Sequence, residues 1–261
     1  MVEGAIMKIL VIGGSGLIGS QVIANLTELG HDAVSASPRS GVDTVTGEGL
    51  AEAIAGAHAV VDVSNSPSFD DEPVLHFFTA STRNLLAAER AAGVRHHVAL
   101  SIVGADRAQD SGYMRAKLAQ EKLIEESGSP YSIVRATQFF EFVDAIADSA
   151  TDGNTVRLPH GAFQPIAAQD VATAVTRATI AEPVNGIINI AGPERLGMDD
   201  FIRTRLTASG DPRQVVTDPG ARYFGAVLDE HSIVPVDGED ATIYPTRFDD
   251  WTAARQASGT H

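Results

Sequence analysis

Met7-Lys8-Ile9-Leu10-Val11-Ile12-Gly13-Gly14-Ser15-Gly16-Leu17-Ile18-Gly19 decides the fold. The apolar run to Ile12 reads as a strand buried on both faces, the kind a parallel sheet uses. Four glycines follow within seven residues. Glycine permits positive φ and close backbone approach, and so many in one turn cost stability unless something needs them. Behind the turn, Ile18, Val22, Leu26 and Leu29 recur at helical spacing, and Gly30 ends the run. The turn fits both Gly13-x-x-Gly16-x-x-Gly19 and Gly14-x-Gly16-x-x-Gly19. In this strand–turn–helix setting it suits the pyrophosphate of a dinucleotide, facing the positive end of the helix. Gly13, Ser15, Gly16, Leu17, Ile18 and Gly19 are therefore candidate cofactor contacts.

Outward from the turn, strand and helix alternate. Short strands are predicted at Ala33 to Ser37, at Thr44-Val45-Thr46, at Ala59 to Val63, at His97 to Leu100, at Tyr131 to Val134 and at Ile187 to Ile190. Helices are predicted at Leu50 to Ala55, from about Pro73 to Ala92, from Tyr113 to Ser127 and after Asp170, which reads as an N-cap. This alternation implies an α/β, doubly wound fold with helices on both faces of a parallel sheet. Met1 to Ile6 reads as a short extension. One domain spanning 1–261 is expected, with a core at about 7–192 and substrate-side segments at about 193–261.

Composition narrows the function classes. The 261 residues carry 34 acidic and 19 basic side chains, a formal charge of −15, and 44% are hydrophobic. A field of that sign repels phosphate backbones, so nucleic acid is not an expected partner. Cysteine is absent, which excludes disulfides and thiolate metal sites. No apolar run approaches the ~18 residues of a membrane helix, and no secretory signal is visible. These features point to a cytoplasmic protein, monomer or homodimer, with a small-molecule substrate.

The end of the second strand selects the cofactor. NAD-binding folds place a carboxylate about 20 residues beyond the glycines to hold the ribose hydroxyls. Here that stretch reads Ser37-Pro38-Arg39-Ser40, with Asp32 before the strand and Asp43 well after it. Ser37 and Ser40 offer hydroxyls, and the forked Arg39 guanidinium suits a 2′-phosphate. NADP(H) is the expected cofactor.

Tyr113-Met114-Arg115-Ala116-Lys117 sets a phenol and an ammonium at i and i+4 on one helix face. A neighbouring cation favours the phenolate and lowers a tyrosine pKa. Such a tyrosine can pass a proton to or from a carbonyl or alcohol oxygen while hydride moves at a nicotinamide. Other residues read more plainly. His96 and His97, adjacent on a strand, point to opposite faces and make a poor metal pair; no metal ligands are assigned. Asp199-Asp200 and Asp249-Asp250 read as solvated or capping acids. Phe139, Phe140 and Phe142 read as core or as an apolar pocket wall, and Trp251 as an anchor for the C-terminal segment.

Taken together, the chain resembles the short-chain dehydrogenase/reductase superfamily, in particular its atypical, NmrA-like branch and the plant isoflavone-type reductases. The resemblance rests on Gly13-x-x-Gly16-x-x-Gly19, the Arg39 position, Thr82 to Ala88, Leu100-Ser101, Tyr113-x-x-x-Lys117 and Ile133 to Gln138, across about residues 7 to 192. It implies about seven parallel strands, the cofactor along their C-terminal edge and a variable C-terminal part over the substrate. It also implies Tyr113 as acid/base, Lys117 as ligand of the nicotinamide ribose, and a Ser or Thr that polarises the substrate carbonyl. Either Ser101 holds that last position, or Ile102 does and the hydroxyl is missing. The chain departs from the family pattern at Ser64-Asn65, which still fall where the cofactor is lined, and at Arg135-Ala136, where the family has Arg-Pro. The function implied is NADP(H)-dependent oxidoreduction of a small carbonyl, alcohol or activated double bond. The alternatives are a non-catalytic NADP(H) sensor and a nucleotide-sugar epimerase or dehydratase.

Overall fold

A computed structural model describes residues 5–257; part of the expected N-terminal extension, residues 1–4, lies outside them. In chain order the elements are β1 (Lys8–Ile12), α1 (Leu17–Glu28), β2 (Asp32–Ala36), α2 (Leu50–Ile54), β3 (Ala59–Asp62), α3 (Asp71–Ala92), β4 (His96–Ile102), α4 (Gly112–Glu126) and β5 (Tyr131–Ala136). There follow α5 (Val143–Ser149), β6 (Thr151–Asp152), β7 (Thr155–Leu158), β8 (Ala162–Phe163), α6 (Ala168–Ile180), β9 (Gly186–Ala191), β10 (Leu196–Gly197), α7 (Met198–Ser209), β11 (Gln214–Thr217), β12 (Ala241–Ile243) and α8 (Phe248–Ala257). Seven strands form one parallel sheet in the order β12-β9-β5-β4-β3-β1-β2, with flanking helices. The order reverses between β1 and β3, the kind of switch point where open α/β sheets bind ligands.

One predicted strand is absent. Thr44-Val45-Thr46 is a turn, because the Asn84 amide donates to the carbonyls of Thr44 at 2.9 Å and Val45 at 2.8 Å. A side chain thus satisfies backbone groups that a sheet neighbour would otherwise take. The seventh strand is β12, which pairs with β9 through Ala241↔Asn189 to Ile243↔Ala191. Asp170 is not an N-cap: α6 begins at Ala168, whose N–H meets the Glu141 carboxylate at 3.2 Å, and Asp170 accepts from Thr246 N.

The chain divides into two compact units. The first comprises 1–101, 116–135 and 171–188. Its core sets Leu10 and Ile12 of β1 and Val60 of β3 against Leu50, Ile54 and Leu85. Helix α3 has Asp71 and Glu72 in its first turn and Gly93 at its C-terminus with φ 72°, both favourable to the helix dipole and its end.

The second unit comprises 102–115, 136–170 and 189–261. Its core is aromatic: Phe140 and Phe201 each pack on Phe248, at 5.0 Å and 4.9 Å, and Phe201 also on Phe163 at 5.3 Å. Trp251 stacks on Phe248 at 5.5 Å, the anchoring role expected for it. The Arg107 guanidinium binds the carbonyls of His231 and Val234, each at 2.8 Å, and Glu239 at 2.7 Å. One cation thereby holds the long segment between β11 and β12.

Candidate functional site

The glycine turn belongs to the first unit. Gly13 has φ 77°, and its N–H donates to Ala36 O at 3.1 Å, tying the turn to the end of β2. A Cβ at Gly13 would stand 2.9 Å from the backbone of Ser64. One at Gly14 would meet Ser35 Oγ at 2.6 Å, and one at Gly19 would meet Gly13 O at 2.3 Å. Three glycines are thus required by close packing of turn, helix and neighbouring strands. Gly16 differs: a Cβ there would approach only Gly13 O, at 3.2 Å. Ser15, Gly16 and Leu17 are exposed, and no side chain caps α1. The first turn of α1 therefore presents backbone donors to solvent beside an open glycine, a cradle that fits a pyrophosphate. Ile18 is buried, so only its backbone serves that edge.

Arg39 is exposed in a short turn after β2 and makes no ion pair among the described residues. The Ser40 hydroxyl accepts from Ser37 N at 3.0 Å and donates to Ser37 O at 2.9 Å, so it closes this turn. Asp43 accepts from the N–H of Val45 and of Thr46, which engages the nearest following carboxylate. Ser64 lies beside Gly13, and its hydroxyl donates to Asp62 at 2.6 Å; Asn65 follows it.

Lys117 is buried at 3% exposure. Its ammonium donates to Leu100 O at 2.9 Å and to the Gln120 amide oxygen, and lies 4.3 Å from the centre of the Phe78 ring. Gln120 in turn donates to Asp62 at 2.9 Å. Burial pulls the lysine down to about 8, against the pull of Asp62 and Glu121. Ser101 donates to Glu121 at 2.5 Å, and Arg135 grips the same carboxylate at 2.9 Å and 2.6 Å. Asp62, Gln120 and Glu121 were not singled out in the sequence. The signal for the last two was their spacing, i+3 and i+4 from Lys117, which puts all three on one helix face.

Tyr113 lies in the part of α4 that belongs to the second unit. It is half-buried, and burial pushes its phenol up to about 12. This reverses the direction expected from the neighbouring lysine, because loss of water penalises the phenolate.

His160 and Asp199, also of the second unit, form a pair at 2.7 Å. Of the two readings expected for it, solvated or capping, Asp199 is not solvated: it is buried in the first turn of α7 and accepts a further hydrogen bond from Thr217. Gly197 makes room, since a Cβ there would meet the His160 ring at 2.6 Å. Burial opposes ionisation of Asp199, but the hydrogen bonds from Thr217 and His160 hold it below the ordinary carboxylate range. His160, Asp199 and Asp200 bring ligand atoms within 4.8 Å of one another, yet Arg203 pairs with both carboxylates. Of the two histidines, His96 meets Ser132 and His97 meets Glu89, each at 2.8 Å. No described helix is long and apolar enough to cross a membrane.

A family model described as NAD(P)H-binding matches residues 13–182. Photosystem II assembly factor Ycf39 of Cyanophora paradoxa is 24% identical over 234 residues, covering 82% of this chain and 72% of that protein. The (4-alkanoyl-5-oxo-2,5-dihydrofuran-3-yl)methyl phosphate reductase of Streptomyces griseus is 28% identical over 205 residues, covering 72% and 69%. A short-chain dehydrogenase/reductase superfamily protein from Agrobacterium tumefaciens, solved with NAD bound, shares the fold with a TM-score of 0.71 at 19% identity, over 97% of this chain and 98% of that one. The matched span holds the glycine cradle, the end of β2 and Tyr113-x-x-x-Lys117, and the chain belongs to this NAD(P)H-binding family.

Proposed function

We propose that this protein is an NADP(H)-dependent reductase of a small carbonyl compound or activated double bond, with Tyr113 as its proton donor. The observation that carries this is the glycine cradle at the start of α1, open at Gly16, in a chain whose matched span also holds Tyr113-x-x-x-Lys117. Tyr113 is protonated at neutral pH, the state a proton donor needs. NADPH supplies hydride when bound. The substrate oxygen then gains electron density, and Tyr113 gives it a proton. Lys117 has a positioning role: its ammonium, held by Leu100 and Gln120, fixes the middle of α4 against β4.

Two features support NADPH over NADH. Arg39 is exposed without an ion pair among the described residues, and the end of β2 offers no carboxylate to a 2′-hydroxyl. The test measures dissociation constants for both nucleotides and NADPH oxidation on a carbonyl and enone panel. Arg39→Ala should weaken NADPH about tenfold, the scale of a lost charge-assisted contact, and leave NADH unchanged. Tyr113→Phe should lower turnover about 10²–10⁴-fold while NADPH still binds. Equal nucleotide affinities would overturn the cofactor assignment, and full activity in Tyr113→Phe would overturn the proton donor.

One observation favours a second reading. The Ser101 hydroxyl is engaged by Glu121, so it does not offer its proton to a substrate. A cofactor-binding assembly or regulatory protein needs no such donor, and one relative is named as an assembly factor. NADPH binding without oxidation of NADPH anywhere on the panel would support that reading.

A further inference from the structure

Asp62 ends β3 inside the first unit, buried at 1% exposure, and its two carboxylate oxygens have different partners. Oδ1 accepts from Ser64 N at 3.0 Å and from Ser64 Oγ at 2.6 Å. Oδ2 accepts from Gln120 Nε2 at 2.9 Å. The bonds to Ser64 bear on the glycine turn. A Cβ at Gly13 would lie 2.9 Å from Ser64 Cα, so the turn rests directly on the residue that Asp62 holds. Gly13 O in turn accepts from Gly16 N at 2.9 Å, which closes the turn ahead of α1.

The other oxygen leads to Lys117. Gln120, also buried, turns its NH2 group to Asp62 and its amide oxygen to the ammonium. Charge type fixes that polarity. A carboxylate only accepts and an ammonium only donates, so the amide between them has one orientation in which no donor faces a donor. Lys117 completes the chain by donating to Leu100 O at 2.9 Å. Every member from Gly13 to Lys117 belongs to the first unit.

We infer that Asp62 is a positioning residue for the dinucleotide: it sets the glycine cradle through Ser64 and the Lys117 ammonium through Gln120, and cofactor binding depends on the donor–acceptor polarity of that chain. The inference rests on the cofactor part of the reading above. Asp62→Asn keeps the shape and breaks the polarity, because its NH2 group must face either Ser64 or Gln120. Facing Ser64, it opposes the Ser64 N–H and loosens the seat of Gly13. Facing Gln120, it makes that amide turn over and bring its own NH2 group against the ammonium. Adding Gln120→Glu exchanges carboxylate and amide along the chain. The amide at position 62 then accepts from Ser64 N and donates to the carboxylate at position 120, which accepts from Lys117.

The test measures NADPH dissociation constants of the full chain by nucleotide fluorescence, with thermal melting of each unliganded variant alongside. Asp62→Asn should weaken NADPH about tenfold, the scale of a lost charge-assisted bond. The double variant Asp62→Asn with Gln120→Glu should recover to within about threefold of wild type, a rescue that a second, independent structural loss does not give. Where Asp62→Asn melts too low to assay, the double variant decides alone, and affinity near wild type supports the inference. Wild-type affinity in Asp62→Asn, or a double variant that binds at least about tenfold more weakly than wild type, would overturn this inference and leave the reductase reading standing. NADPH that binds with the expected rescue but is never oxidised would overturn the reductase reading alone. Wild-type protein that binds neither NADPH nor NADH would overturn both.

Discussion

The two units place their ion pairs differently: Arg135–Glu121 and His97–Glu89 of the first are buried, whereas Arg107–Glu239 and Arg213–Asp148 of the second reach solvent. In the first, Lys117, Gln120 and Asp62 form one closed chain, and Ser101, Glu121 and Arg135 another. Among the described residues, both units also hold buried polar atoms without a hydrogen-bond partner: Ser81, Thr82, Glu89 Oε2 and His97 Nε2 in the first, and the Thr137 hydroxyl and both amide atoms of Gln138 in the second. A closed network is rigid and holds its elements in register. Unpaired buried donors and acceptors cost stability on their own. The Ser101 hydroxyl belongs to the buried network of the first unit.

Glu121→Gln is the strongest way to break the comparison. It removes the charge that the buried Arg135 guanidinium grips, a loss of about 3–5 kcal/mol. For a chain of this size that is a fall in Tm of about 10 °C, read by thermal melting. A variant as stable as wild type would mean that the first-unit network does not hold the fold.

A smaller effect sharpens it. Ser101→Ala should cost about 1 kcal/mol of stability through the lost bond to Glu121. Turnover should change less than about tenfold, well below the effect of Tyr113→Phe. Steady-state rates decide this: equal losses in the two variants would return Ser101 to the catalytic group.

The smallest effect belongs to the His160–Asp199 pair. Its hydrogen bond to Asp199 raises His160 above the ordinary histidine value of 6.5. The stability it contributes is fully present below that value and is lost as pH rises through the raised one. Melting curves between about pH 5 and pH 9 should therefore show wild type losing stability relative to His160→Gln on the alkaline side. Parallel curves would show that the pair is electrostatically silent.

Much of the cofactor half was legible in the sequence. Gly13, Gly14 and Gly19 read correctly because glycine requirements are local: a backbone that needs φ of 77°, or a gap of 2.3 Å to a carbonyl, excludes every other side chain. The strands at β1, β3, β4 and β5 read correctly because parallel strands are buried on both faces and print continuous apolar runs. Thr44-Val45-Thr46 misled for a related reason. It has strand-like residues, and only the Asn84 amide, 39 residues away from Val45, makes it a turn.

The sequence by itself determined a parallel α/β sheet, a dinucleotide turn at its start, and a tyrosine and lysine one helical turn apart. Those features are written in periodicity and short-range spacing, which the backbone obeys wherever the rest of the chain goes. Only the tertiary structure decided that the Ser101 hydroxyl is engaged by Glu121, and which direction the Tyr113 phenol shifts. Hydrogen-bond partners and desolvation depend on contacts between distant segments, and no local pattern encodes them. The glycine turn thus announced the cofactor from the sequence, while the engagement of Ser101 by Glu121 had to wait for the fold.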